Sequence, residues 1–303
     1  MADVEESRAA FGPIAGGTIM APDVDAVAAS YVDYLGYRIS HHGEVTDAMA
    51  TAWRTPGQVG SAYVVMGPES GEPQWIRLIQ GQEVPGYKPM TTYGWHSLEI
   101  CVSDVDAIPP RLTGSPFEII GPPRNLGMST TIRAMQVQGP AKEVLYLTQT
   151  NAGPDRDYLP NAKTFIDRIF IVVLGSPSFS KSRGFYEQYF DVQEGMSGET
   201  RIGVLNRAFG FDPETKHHIG TIKMAGQCLI EIDDYPSQAG PRPTPPECLP
   251  PGVAMVSFRV ASLDDVAVPF LAAPVVVAEP PYNGAQVAVA SGVAGELIEL
   301  IEF

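Results

Sequence analysis

Pro22-Asp23-Val24-Asp25-Ala26-Val27-Ala28-Ala29-Ser30-Tyr31-Val32-Asp33-Tyr34-Leu35-Gly36 reads as a helix with marked ends. Asp23 is a good N-cap, because its carboxylate can accept from the first free backbone N–H groups. Val27, Tyr31, Tyr34 and Leu35 recur at helical spacing, and Gly36 supplies a left-handed stop. The same pattern returns as Pro177-Ser178, then Phe185-Tyr186-Glu187-Gln188-Tyr189-Phe190. Pro22 matches Pro177, Asp23 matches Ser178, Tyr31 matches Tyr186, Tyr34 matches Tyr189 and Leu35 matches Phe190, always 155 positions on. The cap changes from Asp to Ser, which keeps its chemistry.

Working outward, three more segments keep nearly the same register. Gly94 to Asp106 matches Gly252 to Asp264, each reading as strand, N-cap and helix. Trp75-Ile76-Arg77 matches Leu229-Ile230-Glu231, and Val144-Leu145-Tyr146 matches Leu297-Ile298-Glu299. The chain is therefore a duplication. It divides into a first domain over 10–150, a turn-rich linker over 151–163 and a second domain over 164–303. The caps Asp23, Asp104, Ser178 and Ser262 lie about 80 apart, so each half repeats once more. The expected fold class is α+β, with four βαβββ units forming two tandem domains. In unit one the later strands are expected near Arg38–Ser40, Ser61–Met66 and Gln74–Ile79.

Composition bounds the function. The 303 residues carry 20 Lys plus Arg against 35 Asp plus Glu, a formal charge of −15. That argues against a phosphate-backbone binder, which needs clustered positive charge, and against docking on anionic lipid. Gly 30 and Pro 28 point to many turns between short strands. Cys101, Cys228 and Cys248 show no CxxC spacing, which argues against a disulfide framework or structural zinc. The stretch Val266 to Ala278 is interrupted by Pro269 and Pro274, so no apolar run reaches the length of a membrane span. The acidic N-terminus lacks a secretory apolar region. A cytoplasmic protein is expected, with a small organic ligand, no nucleic acid or membrane partner, and room for a homo-oligomer.

The segments PDVDAVAASYVDYLGY, VSDVDA, SRGFYEQYFDV, QCLIEIDDY and GELIELIEF resemble the vicinal oxygen chelate superfamily: glyoxalase I, bleomycin-resistance proteins and extradiol ring-cleaving dioxygenases. The resemblance spans all four units. It implies open barrels whose concave faces hold a divalent metal, with a His on a unit's first strand and a Glu on its last. The corresponding first-strand places are Gly16, Ser97, Ile171 and Met255, and none is His. The last-strand places are Arg77, Tyr146, Glu231 and Glu299. The pattern departs from metal-dependent glyoxalase or dioxygenase ligation, so no cofactor is expected, a divalent metal being the alternative.

Two carboxylates at equivalent strand places are expected to face one cavity of the second domain. Mutual repulsion and burial should raise at least one pKa, which suits a general acid or base. Glu231 and Glu299 are thus the catalytic candidates, and Glu299→Gln should leave stability almost unchanged. His217 and His218 are adjacent, so one faces the pocket; His218 joins the catalytic set. Arg77 and Tyr146 hold the same places in the first half, and a bulge would turn His96 inward beside them. These three are the substrate-binding candidates, an Arg and a phenol being suited to a carboxylate or enolate. The expected function is a vicinal-oxygen-chelate-type enzyme acting on an aromatic or oxo-acid compound by metal-independent proton transfer, as an isomerase or lyase. The alternatives are a ring-cleaving dioxygenase with atypical ligands and a non-catalytic binding or resistance protein.

Overall fold

Four strands are buried along nearly their whole length: Ile14–Ala21, Gly94–Val102, Ile166–Ser176 and Gly252–Val260. Such strands belong at sheet centres, where both faces are covered. Each opens one of the expected units, and they sit side by side at the middle of two eight-stranded sheets. The computed structural model describes residues 9–126, 131–151 and 158–303. Residues 152–157 of the expected linker lie outside the described residues.

Within each unit the closing strand lies parallel to the opening strand, and the middle strands follow antiparallel to the edge. In unit one the later strands are Arg38–Glu44, Ala62–Gly67 and Trp75–Gln80, where they were expected. The two sheets curl as half-barrels, so the four-unit, two-barrel architecture holds.

The pairing of units differs from the expected one. Ile14–Ala21 pairs antiparallel with Gly252–Val260, joining units one and four. Gly94–Val102 pairs with Ile166–Ser176, joining units two and three. Each barrel therefore draws on both halves of the sequence, and neither half forms a barrel by itself. All four opening strands are buried, and their adjacency in the sheets does not follow their order in the chain.

The helices also depart from the expectation. Val24–Ser30 is capped by Asp23 and runs on as a wider turn over Tyr31–Leu35 to Gly36 in the left-handed region. Phe179–Tyr189 is capped by Ser178. In unit two the helix shrinks to Ile108–Arg111, because Pro109 and Pro110 supply no backbone N–H. In unit four the segment after Ser262 makes turns instead. Two helices absent from the sequence reading, Asp47–Trp53 and Gly203–Phe209, lie between the middle strands of units one and three.

One apolar core takes residues from both sheets and both capped helices, including Ile14, Leu98, Ile100, Val172, Leu174, Val256 and Phe258. Strand alternation turns the intervening residues to the opposite faces, each with its own cluster. Gly16 sits where no side chain fits: a Cβ there would lie 2.3 Å from the Trp75 ring and 2.5 Å from the Trp75 carbonyl oxygen. Gly16 is also the strand partner of Trp75, so the backbone has nowhere to retreat. Gly16→Ala is expected to cost about 1–3 kcal/mol by overpacking; a urea midpoint equal to wild type would refute this packing role.

The duplication extends to a pair of buried hydrogen bonds between units. Tyr31 donates to Glu143 at 2.8 Å, and Tyr186 donates to Glu296 at 3.2 Å. Each Glu also closes its own hairpin turn, accepting from Ala141 N at 2.9 Å and Ala294 N at 2.8 Å. Burial pushes both carboxyls up, each to about 7. The cysteines are two buried strand thiols and one loop thiol. Among the described residues no helix is long and apolar enough to cross a membrane.

Candidate active site

The pairing of units separates Glu231 from Glu299. Glu299 lies in the barrel of units one and four, Glu231 in that of units two and three. They share no cavity, and the expected repulsion between them is absent. Arg77 and Tyr146 are separated in the same way.

In the barrel of units one and four, Arg77 meets Glu299. The guanidinium Nη2 lies 3.3 Å from Glu299 Oε2, and both side chains are fully buried. Thr18, the strand neighbour of Arg77, accepts from Nε at 3.1 Å and from Nη2 at 2.8 Å. Glu299 also accepts from Trp53 Nε1 at 2.7 Å, from the Tyr282 hydroxyl at 2.6 Å and from Ser257. Arg77 donates to Tyr282 as well. Its guanidinium carbon lies 4.6 Å from the Trp53 ring centre, 5.0 Å from Trp75 and 5.4 Å from Tyr282. The helix Asp47–Trp53 delivers that tryptophan. This concave face holds a satisfied ion pair in an aromatic cage, a structural plug in place of a binding surface.

The barrel of units two and three is different. Its concave face encloses a cavity of about 550 Å³. Glu99, Tyr146 and Glu231 line it, with Gln136, Thr148 and Thr221 beside them and Phe170, Ile171, Ile219 and Leu229 as apolar wall. Glu99 faces Tyr146 across the opening and closing strands of unit two. Glu231 stands at the corresponding place on the closing strand of unit three, next to Val173. Arg124, Arg201 and Lys223 reach its margin. Glu214 holds Arg201 at 2.7 Å, and Lys223 lies 4.5 Å from the centre of the Tyr158 ring.

Burial dominates the electrostatics. It pushes Glu99 up to about 8, with Glu231 adding to the rise and the Thr148 hydroxyl opposing it. Asp233, two residues beyond Glu231 on the same strand face, is raised to about 8 by burial and by Glu99, and Glu231 opposes the rise. Glu231 is itself raised well above the usual carboxylate range, by burial first and then by Asp233. The Tyr146 hydroxyl is buried with no hydrogen-bond partner, and its pKa is raised above the ordinary phenol value by burial and by the surrounding acids. It therefore stays a proton donor.

His96 is turned to this concave face by a bulge: Val173 pairs with Ser97 and Leu174 with Trp95, leaving His96 as the extra residue. It sits behind the cavity wall, its Nδ1 2.8 Å from the Tyr235 hydroxyl and its Nε2 3.7 Å from Asp233. Burial, reinforced by Arg242, lowers its pKa to about 3, so it stays neutral. His218 is on the wrong face. It lies 3.1 Å from Ser197 Oγ and 3.4 Å from Glu199, with Phe179 packed on its ring. Alternation gives the inner face to His217, which is bound to Asn206 at 2.6 Å. In the proline-rich stretch 240–252, Pro241, Arg242, Thr244, Cys248 and Pro250 border a separate cleft of about 340 Å³.

Sequence reasoning missed Glu99 and Asp233. The available signal for Glu99 was a carboxylate inside the otherwise uncharged strand Ser97-Leu98-Glu99-Ile100-Cys101, two residues beyond the place considered. The strand register places Thr18, Glu99, Val173 and Ser257 opposite the closing-strand sites.

The divalent ion implied by the resemblance does not fit either barrel as built. In the first, a guanidinium already neutralises the carboxylate. In the second, no three His, Cys, Asp or Glu side chains among the described residues converge as a chelating set.

Comparison with known proteins supports the fold. Glyoxalase I from Zea mays is similar over 95% of this chain and 92% of its own, with TM-score 0.63 and 15% identity. A putative dioxygenase from Bacillus subtilis is similar over 97% of this chain and 86% of its own, with TM-score 0.62 and 12% identity. No family model matches the sequence, and no curated protein does. The chain has the tandem fold of the vicinal oxygen chelate proteins.

Proposed function

We propose that this chain, built on the vicinal-oxygen-chelate fold, is an enzyme that moves a proton on a small organic compound within the cavity of units two and three, without a metal. The carrying observation is that Glu99 and Glu231 line one cavity beside the unpartnered Tyr146 hydroxyl. Two buried carboxyls that repel share protons, so one serves as base while the other serves as acid. The base takes a C–H proton next to a carbonyl. Tyr146 O–H donates to the oxygen on which charge develops. The acid returns a proton to a neighbouring carbon, which is isomerisation, or to a departing group, which is a lyase step.

The test is deuterium exchange, followed by NMR, over a panel of small aromatic ketones and oxo-acids, with and without an amino or amidino substituent, in D₂O. We expect exchange that rises with pH through about 8, as Glu99 ionises. Glu231→Gln and Glu99→Gln should each lower it by at least a hundredfold, in line with the loss of an acid–base group. His218→Asn should leave it unchanged. Exchange that survives both Glu substitutions rejects this site.

A further inference from the structure

The two barrels can be compared position by position, because the strand registers are the same. All four units share one register, so unit one can be laid on unit two and unit four on unit three; Arg77 then falls on Tyr146, Thr18 on Glu99 and Glu299 on Glu231, each at the same place on an opening or closing strand. In the barrel of units one and four, a planar organic cation lies against the closing-strand carboxylate and the opening-strand Thr18, with aromatic rings around it. In the barrel of units two and three that cation is gone, since a tyrosine stands where the arginine was. The neutral Thr18 acceptor has become the carboxyl Glu99, and Asp233 adds a third acid. Open cavity replaces the guanidinium, and the buried Tyr146 hydroxyl that borders it has no partner.

We propose that this cavity binds a small organic cation, an amidine, guanidine or protonated amine, between Glu231 and Glu99, in the place that Arg77 fills in the other barrel. The wall suits such a ligand. Phe170 and Tyr146 offer ring surface, and aromatic rings attract cations. The carboxyls give an amidinium two acceptors, and charge-assisted bonds to a planar fork are the strong kind. The buried acids hold protons in the empty cavity, so an arriving cation releases protons as it binds. The inference deepens the proton-transfer reading by giving its substrate a cationic group, and it rests on the same cavity being the working site.

The probe is benzamidinium, an unreactive planar cation, with benzoate and benzyl alcohol as matched controls. Titration calorimetry at pH 7 and pH 8.5, in buffers of different ionisation enthalpy, should show benzamidinium binding with proton release and tightening several-fold at the higher pH. Benzoate and benzyl alcohol should not bind. Glu231→Gln and Glu99→Gln should each weaken binding at least tenfold, with thermal melts verifying that both variants fold. Benzoate binding without benzamidinium binding overturns the inference and assigns the site to anions held by Arg124 and Lys223. Displacement of benzamidinium by Mn²⁺ or Zn²⁺ overturns it in favour of a metal site. Benzamidinium binding that ignores both Gln substitutions also overturns it. The two readings fail separately: exchange lost with benzamidinium binding intact rejects only the catalysis, and exchange kept without amidine binding rejects only the cation.

Discussion

Arg77→Met is expected to destabilise the protein by about 3–5 kcal/mol, the cost of leaving one member of a buried ion pair without its partner. Glu299 would remain fully buried, facing Trp53, Tyr282 and Ser257 with no positive charge nearby. Glu299→Gln should be damaging for the converse reason, since it strands the guanidinium. This replaces the expectation that Glu299→Gln is nearly silent, which assumed a repelling neighbour that lies in the other barrel. The double variant Arg77→Met/Glu299→Gln should recover much of the loss, because neither buried charge then needs compensation. Chemical denaturation of the three variants measures the coupling. Single-variant losses that simply add in the double would show that Arg77 and Glu299 act independently, and the plug reading would fall.

The second large effect is on the pH dependence of stability. Glu99 and Asp233 are raised to about 8, Glu143 and Glu296 to about 7. In the unfolded chain such acids titrate near pH 4. A folded pKa above the unfolded one means that the folded state holds its proton more tightly. The stability these groups contribute is therefore complete below about pH 4 and is lost as pH rises through 7 to 8. Each acid removes up to about 1.4 kcal/mol per pH unit between its two pKa values. Tm should thus fall between pH 6 and pH 9. Replacing Glu143 and Glu296 together by Gln should flatten that descent, since the amides keep the hydrogen-bonding shape without the titration. A Tm that is level or rising from pH 6 to pH 9 in the wild type would contradict the buried protonated acids.

The repeat was legible because a capped helix carries its own local signature. Asp23, Ser178 and the tyrosines after them are recognisable without knowing what surrounds them. Strand positions in unit one were legible for a similar reason, since Gly and Pro turns bracket them. The pairing of units was not legible. It is set by backbone hydrogen bonds between opening strands, and the apolar sequences of all four leave their partners unspecified. The pairing alone decides that Glu231 and Glu299 lie in different barrels and that Arg77 meets Glu299. The bulge at His96 was foreseen from its place one residue out of step. Which of His217 and His218 faced inward depended on a register that alternation alone does not supply. Glu99 lies two residues beyond the first-strand place that the resemblance marks, Ser97, so no motif distinguishes it.

The exchange of partners between units also bears on how the chain reaches this structure. Units two and three are neighbours in the chain, so their opening strands can pair once Ile166–Ser176 is made, and their sheet is complete when Cys228–Asp234 follows. The opening strand of unit one, Ile14–Ala21, must wait for Gly252–Val260. Until then it presents an unpaired apolar edge to the crowded surroundings of synthesis. Such distant pairing slows folding, and a ribosome-bound intermediate with one finished barrel and one half-built should be the form that recruits chaperones.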